Sequence, residues 1–323
     1  MRAMVLSAGL GTRLRPLTLV RPKVLTPVAG TRVLDFWIQR LHSAGCESVI
    51  VNAHHLPDQL VEAVRKGPWA IRVDVRVEPV LLGTGGGIRN AIDFFEEEPF
   101  LVINGDIICD VPIAELQRQY LDSGAPVGLL MHDCPEFNNV AVDCEGHILA
   151  FGQEAVRLIK EDPGLQFFAF TGIHIINPEV FDGVPGGRPG DILSIYRNLI
   201  AAGNPPVALH VPSIFWRETG SIDSYRELHK ELGGVEEDLI PPLHTGTRYW
   251  IHPEADVSHS SLLRGYVSIG SRSFVGEGVE LEDSILWERA VVLPGSRLRN
   301  CIVADGVVVA GIHDNEILHG PVR

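Results

Sequence analysis

Cysteine is scarce in this chain, which has five cysteines among 323 residues. No two of them form a Cys-x-x-Cys pair; they are Cys46, Cys109, Cys134, Cys144 and Cys301. An odd number of cysteines spread this thinly does not match a disulfide framework. We therefore predict five free thiols in a reducing compartment.

Long apolar runs and an excess of basic residues are also missing. No stretch approaches the roughly 18 apolar residues of a membrane-spanning helix. The start of the chain lacks the apolar stretch of about 7 to 15 residues and the cleavage site of a secretory signal, so we expect a cytoplasmic protein. The formal net charge of −14 argues against nucleic acid or an anionic membrane as a partner. Phosphate ligands would therefore need local basic residues.

What is present is the composition of an ordinary globular protein, with 45% hydrophobic and 21% charged residues. At roughly 150 residues per domain, the length suggests about two domains. Up to about residue 232, short apolar runs alternate with amphipathic stretches, which predicts an α/β domain on a largely parallel sheet. We predict strands at 2–7, 48–52, 71–77, 100–104 and 167–176, and helices around 33–44, 60–64, 113–123 and 221–232.

A different pattern follows an acidic, proline-containing stretch, which we predict to be a linker at 235–250. Apolar residues then recur every six positions in one register, at Val257, Leu263, Ile269, Val275, Leu281, Trp287 and Leu293. This spacing predicts a parallel β-helix, whereas ordinary hairpins would alternate with period two. The register slips after Leu293. We therefore predict a first domain at 1–234 and a β-helix domain at 251–323.

The first strand ends in a glycine loop followed by basic residues. Gly9 and Gly11 lack Cβ atoms, so main-chain N–H groups can close on an anion. Arg13, Arg15 and Lys23 supply three cations. The pattern favours a nucleotide triphosphate site, although a tight turn with solvated cations would show the same spacing. It lacks the Gly-Lys-Ser/Thr ending of a P-loop and the third glycine of the dinucleotide fingerprint.

Two later strands also end in candidate site residues. Glu78 precedes a glycine cluster at 83–87, which would either admit a flat ring or form a mobile turn. Asp106 follows an apolar strand, at the edge where open α/β sheets bind ligands. It is the best candidate for a metal ligand, with a surface carboxylate as the alternative.

Together, Gly9-x-Gly11-Thr12-Arg13 and the downstream Pro22-Lys23 resemble the signature of the sugar-1-phosphate nucleotidyltransferases. The resemblance implies a Rossmann-like domain with a mixed, mostly parallel sheet, followed by a short left-handed parallel β-helix. It implies that Lys23 meets the phosphates near the reacting centre, and that Lys23, Arg13 and Asp106 are catalytic. It also implies that one loop wraps the phosphates of an NTP through Ala8, Gly9, Gly11, Thr12 and Arg13.

The same resemblance implies nucleobase, metal and sugar sites. Glu78, Gly83 and Thr84 would cup the nucleobase. Asp106 would hold Mg²⁺ on the α-phosphate together with Glu218, which stands where the family has an aspartate. Asn104 and Gly172 would bind the sugar phosphate.

The family's Glu-Lys-Pro element, whose charges hold the sugar and its phosphate, has no match before residue 166. Arg157 or Lys160 would replace the missing lysine, unless both lie on a solvated helical face.

The implied reaction is attack of a sugar-1-phosphate oxygen on the α-phosphorus of an NTP, releasing pyrophosphate without a covalent intermediate. Residues 104–110 and the tail resemble mannose-1-phosphate guanylyltransferases, whereas residues 84–88 and 170–173 resemble N-acetylmuramate-1-phosphate uridylyltransferases. A non-catalytic regulatory subunit and an acyltransferase built on the tail remain alternatives. We expect a homo-oligomer assembled through the β-helix, and no chemical role for residues from about 251 onward.

Overall fold

The computed structural model describes residues 1–211, 213–234, 240–243 and 245–320. The chain forms two compact units, each built from two separate stretches of sequence. Unit 1 comprises Met1–Gly9 and Trp37–Trp216, and unit 2 comprises Leu10–Phe36 and Arg217–Arg323. Within the predicted linker 235–250, residues 235–239 and 244 lie outside the described residues. The domain boundaries at 234 and 251 remain a prediction.

Strands and helices alternate through the first two thirds of the chain. The helices are α1 (Leu17–Val20), α2 (Val33–Ser43), α3 (Pro57–Lys66), α4 (Gly83–Asn90), α5 (Ile113–Ser123), α6 (Gln153–Glu161), α7 (Ile192–Ala201) and α8 (Ile222–Leu232). The strands in this part are β1 (Ala3–Leu6), β2 (Pro27–Val28), β3 (Thr31–Arg32), β4 (Ser48–Ala53), β5 (Arg72–Val77), β6 (Phe100–Asn104), β7 (Ile107–Cys109), β8 (Val127–His132), β9 (Val140–Val142), β10 (Ile148–Phe151), β11 (Gln166–Ile176), β12 (Val207–His210) and β13 (Trp216–Glu218).

Unit 1 contains a mixed sheet with the order β10-β9-β11-β6-β1-β4-β5, and β8 joins it beside β11 and β12. The neighbours β6, β1, β4 and β5 are parallel, whereas β11 runs antiparallel to β6. Leu6 lies opposite Asn104, and Ala53 lies opposite Val77. The carboxyl ends of four parallel strands therefore meet at one edge of the sheet, which is where such sheets bind ligands.

Burial explains why these segments form strands and helices. Every residue of β4 is buried, as expected for a strand covered on both faces. The helices α3 and α5 each turn an apolar side inward and stop at Gly67 and Gly124. The core of unit 1 includes Met4, Ile50, Ile88, Phe95, Phe100, Val102, Leu129, Met131, Ile176 and Tyr196.

Unit 2 carries the hexapeptide region, which forms a parallel β-helix as predicted. Its strands are β14 (Tyr249–Ile251), β15 (Asp256–Val257), β16 (Leu262–Ile269), β17 (Phe274–Val275), β18 (Glu280–Leu286), β19 (Val291–Val292), β20 (Arg297–Arg299), β21 (Ile302–Val303), β22 (Val308–Val309), β23 (Ile312–Asp314) and β24 (Ile317–Leu318). All the pairings between them are parallel among the described residues. The coil core includes Val267, Val275, Leu281, Leu286, Val292, Leu298 and Val303.

The slip in the six-residue register lies earlier than the sequence predicts. Leu263 pairs with Leu281, three hexapeptides further along the chain, but a register shift follows between Arg264 and Val267. As a result, Val275 pairs with Val292 rather than with Leu293. Leu293 is then one residue past the inward position, and it is 39% exposed. The prediction of a β-helix was right, but the position of the slip was wrong.

Among the described residues, no helix combines the length and the apolar character needed to cross a bilayer. The five cysteines are free thiols, as predicted.

Candidate active site

The binding edge of unit 1 is held together by a hydrogen-bonded link between β1 and β4. Ser7, which directly follows β1, donates its N–H to Asn52 Oδ1 at 2.7 Å and its hydroxyl to the Asn52 carbonyl at 2.5 Å. Asn52 is 2% exposed. The predicted phosphate loop therefore starts from a strand end whose position is fixed, with Ala8 buried and Gly9 exposed.

Glu78 is part of the same buried network. The residue is 1% exposed, and its carboxylate accepts from Asn52 Nδ2 at 2.7 Å and from the Leu82 N–H at 3.2 Å. The sequence predicts that this carboxylate contacts a nucleobase. In the structure both carboxylate oxygens instead accept from protein groups, which fixes the end of β5 to β4 and to the start of α4.

The glycine cluster at 83–87 forms helix α4, although glycine is a poor helix former. A Cβ at Gly86 would lie 2.4 Å from the Arg188 carbonyl oxygen, and one at Gly87 would lie 2.9 Å from Glu78 Oε1. The bare backbone thus allows close packing on loop 188–191 and on Glu78. The cluster is not the mobile turn that the sequence left open. At the start of the helix, Gly83 is exposed. The Thr84 hydroxyl donates to Asp191 Oδ1 and accepts from the Ile192 N–H.

The two residues predicted to bind the sugar phosphate lie next to each other. Gly172, in the middle of β11, has φ +83°, and a Cβ there would lie 2.4 Å from Asn104 Nδ2. Asn104 ends β6, and Asp106 follows it after Gly105, whose N–H donates to the Leu6 carbonyl at 2.8 Å. Asn104, Asp106 and Gly172 therefore belong to one corner of the binding edge in unit 1.

Unit 2 holds the remainder of the predicted phosphate loop. Gly11 adopts φ +58°, and its carbonyl accepts from the Thr18 hydroxyl at 2.8 Å. A Cβ at Gly11 would lie 2.6 Å from Thr18 Cγ2, so glycine is required there by both conformation and space. Thr12–Leu14 then form one turn of 3₁₀ helix.

Arg13 and Glu218, both predicted site residues, form an ion pair. Arg13 Nη1 lies 3.1 Å from Glu218 Oε1, and their side chains are 62% and 24% exposed. Gly220 lies beside the pair, because a Cβ there would approach Arg13 Nη2 to 2.8 Å.

Asp106 of unit 1 and Glu218 of unit 2 are each carboxylates, the donor type that a magnesium ion prefers beside its water ligands. Asp106 lies in the turn between β6 and β7, Glu218 is the last residue of β13, and both are partly exposed. A separate cluster, Asp143, Glu145 and His147, also brings metal-type ligand atoms together. However, Asp143 Oδ1 there accepts from the N–H groups of Glu145 and His147. We therefore interpret that cluster as a hydrogen-bonded turn between β9 and β10.

Arg157 and Lys160 lie on an exposed face of α6, as the alternative interpretation expects. Arg157 is 3.8 Å from both Glu154 and Glu161, which are neighbours on the same helix. Their position supplies no observation in favour of a sugar-phosphate role.

Sequence reasoning missed a buried pair in unit 1. Tyr196 and His174 are hydrogen-bonded at 2.5 Å between the hydroxyl and Nδ1. Both residues are at most 1% exposed, and burial lowers the pKa of His174 to about 3. Nothing in the sequence around β11 distinguishes this histidine from an exposed one.

Comparison with known proteins agrees with the geometry. The family model described as "Nucleotidyl transferase" matches residues 2–234. A mannose-1-phosphate guanylyltransferase of Mycobacterium tuberculosis is 28% identical over 299 residues, covering 91% of this chain and 81% of that protein. A UTP–glucose-1-phosphate uridylyltransferase of Synechocystis is 26% identical, covering 94% and 87%. An N-acetylmuramate α-1-phosphate uridylyltransferase of Caulobacter vibrioides is 34% identical over 233 residues, covering 68% and 91%.

The matched region contains the glycine loop, Lys23, Asp106 and Glu218. The matched range, residues 2–234, covers more than two thirds of the chain, which is enough to show the family. The chain belongs to the nucleotidyl transferase family.

Proposed function

We propose that this protein is a sugar-1-phosphate nucleotidyltransferase, which makes an NDP-sugar and pyrophosphate from an NTP and a sugar 1-phosphate. The observation that carries the proposal is the glycine loop. It leaves the end of β1, turns at Gly11, and presents Arg13 with its side chain 62% exposed. An exposed guanidinium on a glycine loop is suited to a polyphosphate.

The reaction exchanges one P–O bond for another. An oxygen of the sugar phosphate forms a bond to the α-phosphorus, while the bond from that phosphorus to the bridging oxygen of pyrophosphate breaks. Arg13 and Lys23 would neutralise the negative charge of the phosphates, and Asn104 and Gly172 would orient the sugar phosphate. Because the nucleophile is already an anion, the step needs no general base from the protein.

Magnesium is part of this proposal, with Asp106 and Glu218 as its ligands. When bound, it would supply charge neutralisation at the α-phosphate. Because Glu218 Oε1 pairs with Arg13, the carboxylate would use its second oxygen for the metal or loosen its contact with Arg13.

For the substrates, we propose GTP and mannose 1-phosphate, with UTP and N-acetylmuramate 1-phosphate as the alternative. The first pair is supported by the relatives that match along both units, including the mannose-1-phosphate guanylyltransferase that covers 91% of this chain. Glu78 does not distinguish guanine from uracil here, because its buried carboxylate already accepts from Asn52 Nδ2 and the Leu82 N–H. The alternative is supported by the higher identity, 34%, of the N-acetylmuramate α-1-phosphate uridylyltransferase.

A panel of four NTPs against several sugar 1-phosphates, followed by pyrophosphate release, tests the proposal. The highest kcat/KM is expected for GTP with mannose 1-phosphate. A higher value for UTP would assign the alternative pair. No pyrophosphate from any pair, with folded protein and Mg²⁺ present, would contradict the enzymatic function and favour the regulatory subunit.

We also propose a cytoplasmic homo-oligomer that assembles through one face of the β-helix. Two columns of outward side chains run along the coil on strands β16, β18, β20 and β23. One column is Leu262, Glu280, Arg297 and Ile312, and the other is Arg264, Glu282, Arg299 and Asp314. The exposed ends of the first column are apolar, with Leu262 and Ile312 49% and 78% exposed.

This face is complementary to itself. A two-fold axis along the strand direction places each column against the same column in reverse order. Leu262 then faces Ile312 of the second copy, and Glu280 faces Arg297. In the other column Arg264 faces Asp314, and Glu282 faces Arg299. Every charge on the face meets its opposite, so a second copy of this chain is the partner that it fits.

A further inference from the structure

Arg21, two residues before Lys23, is a buried cation in unit 2. It is 8% exposed. Its Nε and Nη2 donate to Asp305 Oδ2 at 3.0 and 2.6 Å, and its Nη1 donates to Glu288 Oε1 at 3.1 Å. The guanidinium also lies over the Trp287 ring, 5.4 Å from its centroid. All of these partners belong to the β-helix.

The same guanidinium caps the short helix that starts at Lys23. Arg21 Nη1 also donates to the Leu25 carbonyl at 3.2 Å, and Lys23–Leu25 form a 3₁₀ turn. Asp305 is itself fixed, because its Oδ1 accepts from the Glu288 N–H at 3.1 Å. The Lys23 turn is thus joined to two neighbouring loops of the coil through one side chain.

A second link holds the other end of this turn. Tyr225, on α8, donates its hydroxyl to the Pro27 carbonyl and accepts from Trp287 Nε1 at 3.1 Å. Tyr225 and Trp287 are fully buried. Lys23 therefore lies between two contacts that end on the same part of the coil.

We propose that Arg21 is a positioning residue, which uses Asp305 and Glu288 of the β-helix to hold Lys23 where it meets the NTP phosphates. This rests on the proposed function in one respect, the role of Lys23. A buried charge network contributes little net stability compared with apolar packing of the same volume, whereas its directional bonds fix geometry. Under this proposal the β-helix would act on the reaction indirectly, by holding Lys23, whereas the sequence predicts no chemical role for residues from about 251 onward.

Asp305→Asn and Arg21→Met test the link, with Arg272→Met as the control. Arg272 forms an exposed ion pair with Glu254 on the same coil, at 3.2 Å. Two quantities are measured: amide hydrogen exchange of the peptide covering residues 22–28, and kcat for the best substrate pair. Exchange is expected to rise at least tenfold, and kcat to fall at least tenfold, in both test variants. Arg272→Met is expected to change neither.

Unchanged exchange over residues 22–28 in folded Asp305→Asn would overturn the proposal. Faster exchange with unchanged kcat would also overturn it, because the link would then only brace the fold. If Asp305→Asn does not fold, Glu288→Gln, which leaves Asp305 to neutralise Arg21, provides the same two readouts. Hydrogen exchange needs no substrate, so a wild-type protein without nucleotidyl transfer would count against the proposed function alone.

Discussion

Arg13 and Glu218 are 205 positions apart in the sequence, yet Arg13 Nη1 lies 3.1 Å from Glu218 Oε1. Both were predicted as site residues, for phosphate and metal respectively. With Arg13 62% exposed, such a pair is worth about 0–1 kcal/mol. A polyphosphate can therefore displace the carboxylate from Arg13 at little cost. We therefore interpret Arg13 and Glu218 as partners of each other in the absence of substrate.

Removing either of the two proposed metal-ligand carboxylates is expected to abolish most activity. Asp106→Asn should lower kcat at least 100-fold, on the order of 3 kcal/mol of transition-state stabilisation. Glu218→Gln should also be nearly inactive, whereas Glu218→Asp, which restores the family's residue, should keep activity. Steady-state turnover at saturating Mg²⁺ measures this. Equal activity in wild type, Glu218→Gln and Glu218→Asp would refute a metal role for Glu218.

Gly172→Ala is expected to impair use of the sugar phosphate. A Cβ would lie 2.4 Å from Asn104 Nδ2, so Asn104 must move, and the φ of +83° is itself unfavourable for alanine. Gly203→Ala is the matched control, because Gly203 has φ +76° and a Cβ added there would have no atom within 4 Å. We expect KM for the sugar phosphate to rise at least tenfold in Gly172→Ala only. Similar KM values in the two variants would show that Asn104 and Gly172 do not form the sugar site.

Acid is expected to destabilise the fold through two buried histidines. Burial lowers the pKa of His174 to about 3 and that of His229 to about 4, below the usual value of about 6.5. Between these pKa values and the usual one, the two histidines are therefore protonated in the unfolded chain but neutral in the folded chain. The contribution of each neutral histidine to the free energy of unfolding is complete above about pH 6.5 and is lost as the pH falls toward 3–4. At pH 5 this loss is about 2 kcal/mol per histidine.

Urea unfolding at pH 7.5 and pH 5.0 measures this loss. His229→Gln should show a smaller loss between the two pH values than wild type does. The exposed His42 provides the control, and His42→Gln should behave like wild type. A loss in His229→Gln as large as that in wild type would contradict the assignment.

The self-complementary coil face predicts the effect of charge reversal on assembly. Glu282→Arg would place Arg against Arg299 of the second copy, so it should raise the dissociation constant at least tenfold. Adding Arg299→Glu restores opposite charges across the two-fold axis and should restore assembly. Sedimentation equilibrium checks both variants. Unchanged assembly in Glu282→Arg would exclude this face as the interface.

The strand ends were predictable because they depend on local patterns. Buried strands such as β4 and β6 appear as short apolar runs, and the residue that follows each one is visible in the sequence. Helix α4 was harder to predict from the sequence, because its glycines are stabilised by packing on loop 188–191, which lies about a hundred residues further along the chain. The burial of Glu78 was also hidden, since carboxylates are usually exposed.

Long-range electrostatic partners were beyond the reach of the sequence. In the sequence, Arg21 looks like one more basic residue after the glycine loop. Its partners Glu288 and Asp305 follow 267 and 284 positions later. No periodicity connects them. The register slip of the coil was detectable as a slip, but its position depended on the shift between Arg264 and Val267.

The interleaved composition of unit 2 has a consequence for protein synthesis. Leu10–Phe36 is synthesised before Arg217–Arg323, with which it packs in one unit. At about 5–20 residues per second, the 267 positions from Arg21 to Glu288 take roughly 13 to 53 s to translate. Through that interval Leu10–Phe36 has no folded partner, and Arg21 lacks the carboxylate of Glu288 that neutralises it in the folded protein. The segment Leu10–Phe36 therefore cannot reach its folded conformation until the coils that carry Glu288 and Asp305 have been synthesised.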